Sequence, residues 1–231
     1  MNRRVIITGS TRGIGLATAV EFLKKGDRVT IFCRHPGHVS KAKRHLLGFG
    51  RPENILGLVG DVRKETDVRK ILRQTQSHYG RIDILVNNAG IAAYKTIEKT
   101  SGKEWDDIVD TNLKGTFLFM REVIPMMKKQ RKGIIINVAS ILGVAGEAMF
   151  SAYCASKFGV IGLTQAMADE TANAGIRVYA VLPGAVDTRL VSDSGLEIDP
   201  SALLRPEEVA RKIVNLAEGR ERSGRLVKIY A

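Results

Sequence analysis

The chain has 231 residues, 44% hydrophobic and 26% charged, with a formal net charge of +12. That balance suits a globular domain with a sizeable core, and it excludes a low-complexity or collagen-like chain. No apolar run approaches the ~20 residues of a membrane-spanning helix, and the opening Val5-Ile6-Ile7 is far short of a ~7–15-residue signal-peptide core, so a cytoplasmic location is expected.

In chain order, short apolar runs rich in β-branched residues fall at 5–8, 29–33, 55–59, 82–87, 133–138, 178–182 and 226–230. Such runs predict strands buried on both faces of a parallel sheet. Stretches of helical period lie between them at 14–25, 39–47, 65–79, 103–127, 152–173 and 206–218. Pro206 followed by Glu207 and Glu208 is a favourable start for the last helix, with its φ pre-set and acids at the positive dipole end. The alternation predicts an α/β fold: a single Rossmann-fold domain over residues 1–231, with a doubly wound parallel sheet of about seven strands flanked by helices. No linker, internal repeat or low-complexity segment divides the chain. The least regular stretch is 188–204, with Ser192, Asp193, Ser194 and Gly195 near its middle, and it is the expected mobile lid.

The first expected strand runs into Thr8-Gly9-Ser10-Thr11-Arg12-Gly13-Ile14-Gly15, which opens the first helix. Gly9 permits a tight turn, Gly13 lets the backbone approach a pyrophosphate, and Gly15 allows close packing of helix on strand. The free N–H groups and positive dipole end of the helix then face phosphate. The second strand ends at Cys33 and Arg34, where NAD-preferring dehydrogenases usually carry an acid for the ribose 2′-hydroxyl. With Arg12 in the glycine loop, two guanidinium groups stand ready for a 2′-phosphate, so the expected cofactor is NADP(H). Asp61 and Val62 follow the third strand, and Asn88, Ala89 and Gly90 follow the fourth, both at the sheet edge where ligands bind. Asp61 can accept from an adenine amino group, and Asn88 can brace the central strands; either also serves as a simple Asx turn.

Tyr153-Cys154-Ala155-Ser156-Lys157 lies on an expected helix, with the phenol and the ammonium one turn apart. A nearby positive charge lowers a phenol from its usual pKa near 10, which suits proton transfer near neutral pH. Ser140 stands just beyond the fifth strand. Cys33 and Cys154 make no CxxC and no disulfide framework, and each reads as a small buried apolar residue. His35, His38, His45 and His78 form no close ligand motif and read as surface residues, so no metal is expected.

Together these motifs resemble the short-chain dehydrogenase/reductase family, classical type, over nearly the whole chain. The resemblance rests on Thr8-Gly9-x-x-x-Gly13-Ile14-Gly15, Asp61-Val62, Asn87-Asn88-Ala89-Gly90, Asn112, Ser140, Tyr153-x-x-x-Lys157 and Pro183-Gly184-x-Val186-x-Thr188, all in the family's order. It implies that Tyr153 is the general acid in carbonyl reduction and the base in alcohol oxidation. Lys157 would lower the phenol's pKa and bind the nicotinamide ribose, and Ser140 would hold the substrate oxygen. Asn112 would bend the long helix and hold water in the proton relay. Residues 183–188 would cover the nicotinamide, with Val186 and Thr188 on its carboxamide. Arg12 and Arg34 match the two basic positions of NADP-preferring members.

Within the family the chain looks most like bacterial 3-oxoacyl-[acyl-carrier-protein] reductases, and the +12 charge suits an acidic carrier partner. The short stretch 188–206 and an ending at Ser223-Gly224-Arg225-Leu226 without Asp-Gly-Gly leave a small ketone, sugar or polyol as the other substrate class. A homodimer or homotetramer is expected by analogy through the long helices. Neither a membrane nor a nucleic acid is an expected partner. The rival of another class is an NADP(H)-sensing module without turnover.

Overall fold

A computed structural model describes residues 2–193, 198–219 and 221–230. Seven strands form one sheet: β1 (Arg4–Thr8), β2 (Arg28–Cys33), β3 (Ile55–Val59), β4 (Ile84–Asn87), β5 (Gly133–Val138), β6 (Ile176–Pro183) and β7 (Leu226–Ile229). Their order is β3-β2-β1-β4-β5-β6-β7, and every neighbouring pair is parallel. The order reverses between β1 and β4, so the loops after those strands diverge and open a crevice at the C-terminal edge.

The helices are α1 (Gly13–Lys24), α2 (Pro36–Leu46), α3 (Glu65–Tyr79), α4 (Gly102–Val109), α5 (Gly115–Gln130), α6 (Ser151–Glu170), α7 (Arg189–Ser192) and α8 (Pro206–Glu218). Alternate strand residues explain the two layers. Val5, Ile7, Val29, Ile31, Val86 and Ile136 pack under α1, α2 and α8 with Phe22, Leu46 and Ile213. Ile6, Phe32, Leu85 and Ile135 pack under α3 and α5 with Ile71, Phe119 and Val123. Phe32 and Phe119 are fully buried and stack at 5.4 Å between ring centres, joining the sheet to α5.

Among the buried polar residues, one pair links two central strands. Asn87 and Asn137 are register partners on β4 and β5, and Asn87 Nδ2 donates to Asn137 Oδ1 at 2.8 Å. Asn137 Nδ2 donates in turn to Thr164 Oγ1 on α6 at 2.9 Å, and that hydroxyl donates to Val160 O at 2.7 Å. All three side chains are buried.

The structure differs from the sequence expectations at several ends. The expected helix over 103–127 is two helices joined by a π-helical turn at Asp110–Lys114. The wider turn swings Asn112 inward. The strand expected from 82 begins at Ile84, because the Ile82 amide and carbonyl are taken by the Gln130 side chain at 3.3 and 2.8 Å. The helix expected from 39 begins at Pro36, whose ring pre-sets a first helical turn. The helix expected to 173 stops at Glu170, followed by a 3₁₀ turn at Ala172–Ala174 and Gly175 with φ +71°.

Within the stretch expected as a lid, Ser194 and Gly195 lie outside the described residues. The ends of that stretch are pinned together. Asp187 N donates to Leu204 O and Leu204 N to Ala185 O, both at 2.9 Å. Among the described residues, no helix is long and apolar enough to cross a membrane.

Candidate active site

The site starts at the turn after β1. Gly9 has φ +63°, a region costly for side-chain-bearing residues, and a Cβ there would lie 2.9 Å from Ala89 Cα. Thr8 Oγ1 accepts from the amides of Asn88 and Ala89 at 2.9 and 2.8 Å. Asn88 Nδ2 donates to Thr8 O at 2.9 Å and to Gly9 O at 3.2 Å. The ends of β1 and β4 are thus sewn together at the point where the strand order reverses. Gly13 has φ +52°, and a Cβ there would come 3.1 Å from the Thr188 methyl, so the glycine loop and the segment after β6 nearly close on each other. The start of α1 has no side-chain cap and no acid in its first turn. Its N–H groups are therefore available to an anion.

Gly15 faces the other way. A Cβ there would sit 2.5 Å from Asn88 Nδ2 and 2.7 Å from Gly9 O. Gly15→Ala is expected to push the two loops apart and destabilise the protein by about 1–3 kcal/mol, the usual range for overpacking. A thermal melt checks this, and an unchanged midpoint would contradict the close packing described.

A cleft of about 1050 Å³ runs along the sheet edge from this turn. One end is basic. Arg12 and Arg34 are exposed on its wall, and their guanidinium groups make no ion pair among the described residues. His35, His38 and Lys41 share that wall, with the two imidazoles 5.1 Å apart. The surface reading of the four histidines agrees with their exposure, but sequence reasoning missed that His35, His38 and His45 line the cleft. Their spacing along one face of α2 was the available signal. The Cys33 thiol is half-buried and bonded to the His35 backbone, which corrects its reading as a buried apolar residue; Cys154 is buried beside Tyr153. Strand β2 ends there because the chain turns out towards the cleft, which leaves Cys33 partly open.

Asp61 lies at the bottom of this end, 7% exposed. Arg63 grips it with Nε 3.1 and 3.0 Å from the two carboxylate oxygens, Nη2 2.8 Å from Oδ2, and its amide 3.0 Å from Oδ1. Burial pushes the carboxyl's pKa up, yet the Arg63 fork and amide, with the charges of Arg63 and Arg34, bring it below the ordinary value.

At the other end Ser140 follows β5, its Oγ accepting from Leu142 N at 3.1 Å. Tyr153 and Lys157 project from the first turns of α6 and are both buried. The Lys157 ammonium lies 5.5 Å from the Tyr153 ring centre and donates to Val138 O at 2.8 Å. Burial pushes the Tyr153 phenol up to about 12, against the lowering pull of the Ser140 hydroxyl. In this arrangement the ammonium donates to a backbone carbonyl, and the lowering expected of Lys157 is not among the influences on the phenol. Burial also pushes Lys157 down to about 8.

Asn112 sits behind these groups and does not line the cleft. Its Oδ1 accepts from Ile91 N at 2.9 Å, and its Nδ2 donates to Ile91 O at 2.9 Å and Ser156 Oγ at 3.0 Å. Ser156 is fully buried and donates to Tyr153 O at 2.7 Å. Sequence reasoning missed Ser156; its signal was a small polar residue one turn after Tyr153's own turn begins. A Cβ on Gly90 would lie 3.3 Å from Asn112 Oδ1 and 3.6 Å from Lys157 Nζ, so the backbone there passes close to both.

Of the expected cofactor-binding residues, Gly9, Thr11, Arg12, Gly13, Ile14, Arg34, Asp61, Val62, Asn88, Ala89, Gly90, Tyr153, Lys157, Pro183, Gly184, Val186 and Thr188 all line this cleft. Ser10 and Gly15 do not. The Ser10 hydroxyl is buried, donating to Ile7 O at 2.6 Å and accepting from Phe32 N at 3.1 Å, so it ties β1 to β2. The donor set fits a dinucleotide: uncapped helix amides for phosphate, guanidinium groups at one end, an acid for a base amino group, and a buried phenol and ammonium at the other. Among the described residues, no three His, Cys, Asp or Glu side chains are grouped to hold a metal ion.

A model of the short chain dehydrogenase family matches residues 3–198. A 3-oxoacyl-[acyl-carrier-protein] reductase of Thermotoga maritima is 37% identical over 223 residues, which span 92% of this chain and 89% of that protein. The crystal structure of a levodione reductase superposes with a TM-score of 0.94 at 30% identity, covering 100% of this chain and 96% of that one. A 3-ketoacyl-(acyl-carrier-protein) reductase from Brucella melitensis, complexed with NADH, gives 0.90 at 30% identity over 99% of this chain and 96% of its own.

Proposed function

We propose, for a chain that belongs to the short-chain dehydrogenase family and is thereby an oxidoreductase of carbonyl and CH–OH groups, that it works as an NADPH-dependent ketone reductase. The observation that carries this reading is one continuous cleft with a buried Tyr153–Lys157 pair at one end and, at the other, Arg12 and Arg34, which make no ion pair among the described residues. No acid stands at the end of β2 to hold a ribose 2′-hydroxyl, while two forks suit a 2′-phosphate. When bound, the reduced nicotinamide supplies the hydride. Pro183, Gly184, Val186 and Thr188 would cover it, and the α1 amides with Gly13 would hold the phosphates.

Ser140 orients the substrate oxygen, and Tyr153 gives that oxygen its proton. A phenol pushed up to about 12 is protonated at neutral pH and so has the proton to give. The Lys157 ammonium, charged below about 8, stabilises the phenolate left behind and supports the nicotinamide ribose. Asn112 clamps the Ile91 backbone to Ser156, keeping the base of α6 at a set distance from the cleft floor.

For the substrate we infer a 3-oxoacyl group carried by an acidic carrier protein, supported by the +12 charge and by likeness to reductases of that kind. A second reading, a small cyclic ketone, is favoured by an aromatic row beside the site: Tyr94 lies 5.2 Å from Phe150, and Phe150 lies 6.0 Å from Tyr153. A panel of carrier-linked 3-oxoacyl and free cyclic ketones, followed by NADPH absorbance, separates the two. No oxidation of NADPH with any ketone would leave only a nucleotide-sensing role.

Arg34→Asp places an acid where NAD-preferring enzymes use one. It is expected to move the NADPH-over-NADH ratio of kcat/KM by about 10–100-fold towards NADH, the worth of one charge-assisted contact. An unchanged ratio would take Arg34 out of cofactor choice. We also infer a cytoplasmic homodimer or homotetramer, formed through the outer faces of α5 and α6, where Phe117 and Phe158 are 41% and 46% exposed. Light scattering giving a monomer mass would contradict it.

A further inference from the structure

Arg63 was not singled out by any motif, yet it joins two parts of the molecule that share no strand. Its fork holds both Asp61 oxygens, as described above, while Nη1 reaches Asp107 Oδ1 on α4 at 2.7 Å. Asp107 is held from its other side by Lys103 Nζ at 2.5 Å. The same turn touches the far side of the helical bend as well. A Cβ on Gly115, the first residue of α5, would lie 2.9 Å from a Val62 methyl. Residues 61–63 are therefore fastened to the kinked helix both before and after its π turn.

Asp61 opens into the cleft and into an adjoining recess of about 340 Å³ that Arg34 also lines. An ionised carboxylate offers about four acceptor positions. Three Arg63 donors, the amide, Nη2 and an Nε shared between the two oxygens, take three of them and leave one. A short Asp side chain without that fork has other rotamers and other partners, Arg34 among them.

We propose that Arg63, anchored by Asp107, is a positioning residue for the adenine half of the cofactor. It holds Asp61 so that one oxygen faces the cleft to accept from the adenine amino group. This rests on the reading of the cleft as a dinucleotide site. The chemistry makes a sharp distinction. Adenine presents a donor at its 6-position, whereas hypoxanthine presents an oxygen, which would meet the fixed carboxylate lone pair against lone pair.

The test is calorimetric titration of the whole protein with adenosine 2′,5′-bisphosphate and inosine 2′,5′-bisphosphate. The wild-type protein is expected to prefer the adenine compound by about tenfold or more, the worth of one buried hydrogen bond to a charged group. In Arg63→Gln and in Asp107→Asn that preference is expected to fall to about threefold or less, because Asp61 is no longer held. A purely structural role would weaken both ligands equally and leave the preference intact, and that result in either variant overturns the proposal. Should Arg63→Gln fail to fold, Arg63→Lys keeps the charge without the fork, and a full wild-type preference in it overturns the proposal equally. Wild-type protein that binds both compounds equally overturns the proposal, whereas wild-type protein that binds neither overturns the dinucleotide reading itself.

Discussion

Tyr153→Phe is expected to lower kcat for ketone reduction by about 10²–10⁴-fold, the range that a positioned proton donor contributes. NADPH affinity, read by fluorescence titration, is expected to change little. The reason is local. The ring is 8% exposed and packs on Phe150 and Cys154, so the phenylalanine ring refills the same space and only the hydroxyl is lost. The hydroxyl is the group aimed at the cleft beside Ser140. Unchanged turnover would remove Tyr153 from the chemistry, and a collapse of NADPH binding would mean that the hydroxyl serves the cofactor instead.

Lys157→Met carries the second large effect, with two opposite signs. Turnover is expected to fall about 10²–10³-fold, the scale of removing one preorganised positive group from a buried site. Stability is expected to stay level or rise. Lys157 is 4% exposed and has no acid partner among the described residues; its ammonium donates to the Val138 carbonyl and lies over the Tyr153 ring. Burial lowers its pKa from 10.5 to about 8, which corresponds to a folded-state cost of about 3 kcal/mol. That cost is fully present below about pH 8, where both states are charged. It is relieved as pH rises towards 10.5, because there the folded chain binds fewer protons than the unfolded one. Wild-type kcat/KM should accordingly be flat below about pH 8 and fall above it with the loss of one charge, since Tyr153 stays protonated throughout that range. The methionine variant should lack this limb. A melt showing marked destabilisation, or a profile that rises through pH 8, would contradict the account.

Much of the sheet was legible from the chain because its strands are continuous apolar runs between helical stretches, and a run such as Ile134-Ile135-Ile136 has few other homes. The bend at Asn112 came from the resemblance alone, because nothing in the period of residues 103–127 marks one extra residue in a turn. Its cause is tertiary: Asn112 reaching the Ile91 backbone. The cleft residues were legible where a glycine or a charge had to stand at a strand end. Ser10 was not, since a hydroxyl in a phosphate-type loop can turn outwards or inwards, and here the Phe32 amide drew it in. Arg63 and Ser156 were invisible for a similar reason. Each acts through a partner distant in sequence, Asp107 for one and Asn112 for the other.

The pair Asn87 and Asn137 has a further consequence for how the chain finds this arrangement. Strands β4 and β5 are apolar on both faces, so Ile84-Leu85-Val86 would pack almost as well against Ile134-Ile135-Ile136 if one strand slid by a residue. Oily surfaces give no ruler along their own length. The two amides do, because only one alignment lets them meet, and any other strands a buried amide at about 1–3 kcal/mol. A slide of one residue would shift Asn88 by about 3.3 Å against the end of β5, on which Ser140 stands. The amides sit one and three residues before those groups, so they act as a gauge block that sets the two rims of the crevice to the same height before any ligand arrives.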